Sequence, residues 1–167
     1  MGDTRMKWTG DAANRRFAIQ GMVTSAGELA PIVEKAAPAA PVTLDCGGLR
    51  AFTSSGVQAW LRFLDDLRAK GCVVSFERCS PAVVKQTMAI ADFLGGGKVR
   101  SVLAPWVCAA CDAEAEEEIA VRAAGAGAAG GSISAAKRCK CGSEMEFDDL
   151  KQPYIELLAE AAGRAAG

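Results

Sequence analysis

The stretch PVTLDCGGLRAFTSSGVQAWLRFLDDLRAKGCVVSF, residues 41–76, decides the fold. Its opening, PVTLDC, alternates Val42, Leu44 and Cys46 with polar neighbours, the period of a short strand. Farther on, Val57, Trp60, Leu61, Leu64 and Leu67 recur at helical spacing up to a stop at Gly71. CVVSF then reads as a buried strand. A strand, a helix and a second strand in that order imply a mostly parallel or mixed sheet with the helix packed against it. Between the first strand and the helix, Thr53, Ser54 and Ser55 stand directly before Gly56. One hydroxyl is enough to cap a helix, because its oxygen accepts from an orphan N–H of the first turn. Ser55 is the expected cap and Ser54 the expected exposed hydroxyl, free for another task.

The same alternation extends outward. RFAIQGMV puts Phe17, Ile19 and Val23 on one side of a strand, and MKWT pairs with it as a hairpin across GDAAN. SAGELAPIVEKAA follows as a helix with Ser25 and Glu28 spaced as a capping box and Leu29, Ile32, Val33 and Ala36 on one face, Pro31 shifting its expected start later. SPAVVKQTMAIADFLGGG reads as one helix, with Ser80 as cap, Pro81 at the first position and three glycines ending it. KVRSVLA supplies one more strand. The predicted fold class is α/β, and in such sheets the loops at the carboxyl ends of the strands carry function. The TSSG loop lies at such a place.

Composition narrows the function. Half of the 167 residues are hydrophobic but only 6% are aromatic, so the core is built mainly from Ala, Val, Leu and Ile. A formal net charge of −1 gives no electrostatic reason to expect nucleic acid or an anionic membrane as partner. The start, MGDTRMKWTG, has no signal-like apolar run, and no later stretch is long and apolar enough to span a bilayer, so a soluble cytoplasmic protein is expected. Histidine is absent, which excludes Ser-His-Asp triads, Cys-His dyads and His-liganded metal sites. With no acid–base pair, phosphate loop or nucleophile–base dyad in view, the expectation is a protein that is not an enzyme.

From about residue 16 to about 104 the chain resembles the STAS domain of bacterial anti-sigma-factor antagonists. The resemblance rests on the G-x-V of IQGMVTSAGEL, the V-x-LD of VTLDCGGL, the SSG opening an amphipathic helix, the LRAKG closing it and the apolar strand after it. The family pattern at the loop is Asp-Ser-Ser/Thr/Ala-Gly, with its first Ser phosphorylated by a partner kinase. Carried over, that role falls on Ser54, with Thr53 at the position of the family aspartate and CGGLRAF replacing the usual small polar loop. A phosphate at a helix N-terminus meets the peptide dipole and free N–H groups, so it changes what the surface docks without unfolding the domain.

The seven cysteines divide by setting. Cys46, Cys72 and Cys79 sit in apolar segments and are expected as small buried hydrophobes. Cys108 and Cys111 form a C-x-x-C knuckle, and Cys139 and Cys141 a tighter C-x-C-G. Four thiolates from two short turns make the closed tetrahedral set of a structural Zn²⁺ site. With EAEEEIAV and EMEFDD as flanking strands, residues 105–149 resemble a zinc ribbon whose second knuckle is one residue short. A redox dithiol at Cys108 and Cys111 is the alternative, although such motifs open a helix after a strand, whereas acidic alternation follows here. Residues 122–136 read as a flexible Gly/Ala-rich loop, and DDLKQPYIELLAEAA as an amphipathic helix within 150–167, with Leu150, Tyr154, Leu157, Leu158 and Ala161 on one side.

The expected organisation is therefore a STAS-like domain over 1–104, a ribbon-like extension over 105–149 and a terminal helix. The resemblance implies a non-enzymatic signalling protein that binds a protein partner, either a kinase of the anti-sigma type or a multiprotein signalling complex, and is switched by phosphorylation at Ser54. The alternative is an unphosphorylated STAS-like scaffold with the ribbon and last helix as its assembly surface. A nucleic-acid reader has only the KRCK cluster in its support, without aromatic stacking residues.

Overall fold

The computed structural model describes residues 5–122 except 12 and 14, residues 133–134 and residues 136–165. The fold is mixed α/β. Strands β1 (Lys7–Asp11) and β2 (Arg16–Val23) pair antiparallel, as the hairpin reading expects. Helix α1 (Ala26–Lys35) leads to β3 (Pro41–Phe52), α2 (Ser54–Ala69) to β4 (Val73–Glu77), and α3 (Pro81–Ala89) to β5 (Lys98–Val99). β2, β3, β4 and β5 are all parallel, so the first sheet runs β1-β2-β3-β4-β5.

Several local boundaries differ from the sequence reading, each for a physical reason. β3 does not end at Cys46 but continues through GGLRAF to Phe52, because Gly48, Leu49, Ala51 and Phe52 pair with Gln20, Gly21, Met22 and Val23 across two register shifts. α1 starts at Ala26 despite Pro31, since the Glu28 carboxylate accepts from the backbone N–H groups of Thr24 and Ser25 and fixes the first turn. α3 has Ser80 as cap and Pro81 at its start but stops at Ala89; turns follow, burying Phe93 and Leu94. KVRSVLA is two strands rather than one, split at Arg100.

That split starts a second sheet. β6 (Ser101–Cys108), β7 (Glu114–Ala120), β8 (Lys137–Arg138) and β9 (Glu144–Phe147) are antiparallel in the order β7-β6-β9-β8. Arg100 still donates its N–H to the Phe76 carbonyl, while Cys79 and Val102 form a bridge, so backbone bonds stitch the two sheets together. The boundary expected between 104 and 105 falls inside β6, whose Val102 and Ala104 belong to the main core. The Gly/Ala-rich loop expected over 122–136 lies largely outside the described residues.

The core centres on α2 and the first sheet. Trp60 is fully buried, stacks on Phe93 with centroids 5.9 Å apart and donates its indole N–H to the Phe93 carbonyl. Phe17, Leu44 and Phe76 share register on neighbouring strands and line one face of the sheet. Beside Leu44, Asp45 is buried yet satisfied, accepting from Arg16 and the Gly47 N–H and pairing with the Arg78 guanidinium at 3.5 Å. A buried carboxylate is tolerated only with such partners. Helix α4 (Lys151–Ala165) adds Tyr154, Leu157, Leu158 and Ala161 to the same core. Leu150, expected on that buried side, precedes the helix and is 74% exposed.

Candidate functional site

Two places hold the residues singled out by sequence. The first is the N-terminus of α2, at the carboxyl ends of β2 and β3. Thr53, not Ser55, is the cap: its hydroxyl accepts from the Gly56 N–H at 3.0 Å, and its own N–H donates to the Val23 carbonyl. Ser55 donates its hydroxyl to the Thr24 carbonyl at 2.9 Å and lies 3.1 Å from the Thr53 hydroxyl. The two outer hydroxyls therefore fasten the helix to the end of β2. Gly56 has a related reason, since a Cβ there would overlap the Val23 carbonyl oxygen. Ser54, first residue of the helix, is exposed and has no side-chain hydrogen bond among the described residues. Three hydroxyls thus have two jobs between them, and the third points to solvent.

The second place is the cysteine cluster. The β6–β7 turn carries Cys108 and Cys111, and the β8–β9 turn carries Cys139 and Cys141. All four sulfurs lie within 4.8 Å of one another, with Cys108–Cys141 and Cys111–Cys139 each at 3.6 Å. A tetrahedral ion with metal–sulfur bonds of ~2.3 Å requires sulfurs about 3.8 Å apart, so this set could hold a metal ion.

The two knuckles share one plan despite their different lengths. In the first, the Asp112 N–H donates to the Cys108 carbonyl and the Cys108 N–H to the Ala113 carbonyl. In the second, the Gly142 N–H donates to the Cys139 carbonyl and the Cys139 N–H to the Ser143 carbonyl. Each chain turns through a left-handed residue directly after its last cysteine, Asp112 at φ 55° and Gly142 at φ 91°. Asp and Gly are among the residues that adopt this conformation most readily. The C-x-C turn is the C-x-x-C turn with one residue removed, and the missing residue does not displace the sulfurs.

Local donors act on the thiols. The Ser143 backbone N–H first, then its hydroxyl and the Cys108 and Cys139 thiols, bring Cys141 down to about 6. The Ala113 N–H pulls Cys111 the same way, but the three neighbouring sulfurs outweigh it and push Cys111 up to about 12. Four thiols this close cannot all ionise without a cation among them. Cys108 is buried, Cys139 half-buried, and Cys111 and Cys141 exposed, so the cluster opens on one side to solvent. Among the described residues a small apolar group forms around it, with Trp106, Cys108 and Met145 buried and Ala115, Ile133, Cys139 and Phe147 against them.

The remaining cysteines are different. Cys46 and Cys79 are fully buried, and burial raises both thiols, Cys79 to about 12. Cys72 is buried and donates to the Ala37 carbonyl. Sequence reading missed Ser143, Thr24 and Asp112 as parts of these sites. The glycine of C-x-C-G was a visible signal for the second turn, whereas nothing in the sequence marks Thr24, because its role depends on the packing of α2 on β2. No protein-family model matches the chain, and no curated protein matches it at a significant level.

Proposed function

We propose that this chain is a non-enzymatic bacterial regulatory protein of the STAS, anti-sigma-factor-antagonist type, which binds a protein partner through the face around Ser54 and is switched by phosphorylation there. Its cysteine cluster holds a structural Zn²⁺, since a four-sulfur tetrahedral set suits zinc and the absence of histidine leaves the thiolates as its ligands. No helix among the described residues is long and apolar enough to cross a membrane, which fits a partner met in solution.

The observation that carries the reading is the division of labour at the α2 N-terminus. Thr53 and Ser55 are committed to the helix start, while Ser54 is exposed at its first position. A phosphate on Ser54 gains from the dipole at the α2 N-terminus, and its charge of about −2 alters docking without breaking a packed contact. Thr53 in place of the family aspartate keeps the capping oxygen without the charge.

The scaffold alternative gave the last helix an assembly role. Packing of Tyr154, Leu157 and Leu158 into the chain's own core leaves that side of α4 unavailable as a docking face. The test is to incubate the chain with ATP and a cell extract that contains the kinase, map phosphate by mass spectrometry, and compare retention of the co-purifying partner by Ser54→Ala and Ser54→Asp. Phosphate on Ser54, with binding kept by Ser54→Ala and lost by Ser54→Asp, supports the switch. Equal binding of Ser54→Asp and the parent overturns it.

A further inference from the structure

We propose that the metal centre is the latch of helix α4, so that metal occupancy controls how firmly this helix stays docked. The inference rests on the zinc reading above and adds a consequence to it.

The connection is a short row of aromatic rings. Trp106 lies two residues before Cys108 on β6 and pairs in register with Phe147 on β9, while Cys108 pairs with Met145. The Trp106 and Phe147 rings meet edge to face with centroids 5.5 Å apart, and Phe147 meets Tyr154 of α4 in the same way at 5.3 Å. Tyr154 is fully buried and donates its hydroxyl to Asp149, which Lys85 of α3 also approaches. Beside its packing in the main core, the N-terminal half of α4 thus meets β9 through Phe147.

Apart from the contacts of Phe147, β9 is held to the sheet by three residue pairs with β6 and two with β8. It is four residues long, its outer neighbour β8 is two, and the buried members of the apolar group beside the knuckles, among the described residues, are Trp106, Cys108 and Met145. Sulfur–metal bonds would tie the end of β6 to the β8–β9 turn at the point where those strands are weakest. Without them the β8–β9 hairpin keeps three residue pairs with β6 as its backbone hold on the sheet, a short pairing. Its loosening withdraws Phe147 from both Trp106 and Tyr154. Leu157 and Ala161 of α4 form one wall of a cleft of about 370 Å³ facing Phe93, Leu94 and Val99, so loosening of the helix opens apolar surface.

Hydrogen exchange of the full chain, compared between the zinc-loaded form and the form stripped of zinc by a chelator under reducing conditions, tests the latch. Amides of 151–162 should exchange about tenfold faster or more without zinc, while those of α2 change little. Phe147→Leu should bind the same amount of zinc yet show fast exchange in α4 in the zinc-loaded form. That variant carries the test even where the stripped chain unfolds as a whole. Equal protection of 151–162 with and without zinc, or unchanged α4 protection in zinc-loaded Phe147→Leu, overturns the latch and leaves the zinc reading standing. A chain that neither contains nor takes up zinc overturns both.

Discussion

The Thr53 hydroxyl accepts from the Gly56 N–H at 3.0 Å, making Thr53 the cap of the central helix. Thr53→Ala should therefore destabilise the protein by about 1 kcal/mol, read as a lower urea midpoint at unchanged slope. Thr53→Asp keeps an accepting oxygen and should restore most of that loss. Ser55→Ala removes the bond to the Thr24 carbonyl rather than the cap, and its cost should be similar or smaller.

Gly56 sits where α2 comes closest to β2. Adding one methyl group in Gly56→Ala should force the helix away from the Val23 carbonyl and cost on the order of 1–3 kcal/mol, despite the higher helix propensity of alanine. Gly27→Ala, in α1 where a Cβ meets no atom within 4 Å, is the control. It should be neutral or stabilising in the same urea titration.

The metal reading predicts about one zinc per purified chain, measured by elemental analysis. Cys111→Ser should lower that content, as should Gly142→Ala, which places a side chain at φ 91° in the second knuckle. Unfolding of the first sheet and α2, followed through the buried Trp60, should be affected much less than the region around Trp106.

Thiol labelling should separate the seven cysteines in the folded protein. After zinc removal the exposed Cys141, whose thiol is lowered to about 6, should be alkylated first, whereas Cys46 and Cys79 should stay unreacted because burial keeps them protonated and out of reach. Mass mapping of the labelled peptides checks this. Rapid labelling of Cys46 or Cys79 at neutral pH would contradict the packing described above.

Tyr154 is the only tyrosine in the chain, so its ionisation can be read from absorbance alone. Burial first, then the charge and hydrogen bond of Asp149, raise its phenol well above the ordinary value. The unfolded chain would lose this proton near pH 10, whereas the folded chain retains it. Stability from this group is thus fully present below about pH 10 and falls as the pH rises beyond it. A titration showing normal ionisation in the folded protein would mean that Tyr154 is not buried.

The sequence by itself determined the class of fold and picked out the four clustered cysteines and the three hydroxyls before α2. Period-2 and helical patterns over residues 41–76 are local properties of a chain that must bury one face, and the parallel sheet follows from their order. Cysteine spacing likewise brought together the four sulfurs that the structure places within 4.8 Å. What only the tertiary structure decided was every assignment that depends on what approaches from elsewhere in the chain. Thr53 rather than Ser55 became the cap because α2 docks on the Val23–Thr24 end of β2, which fastens Ser55 to a carbonyl instead. β3 ran on to Phe52 because β2 offers it partners that far, and KVRSVLA broke at Arg100 because its two halves pair with different sheets. Hydrogen-bond partners distant in sequence outweigh local propensity at such points, and no single segment carries the information that names them.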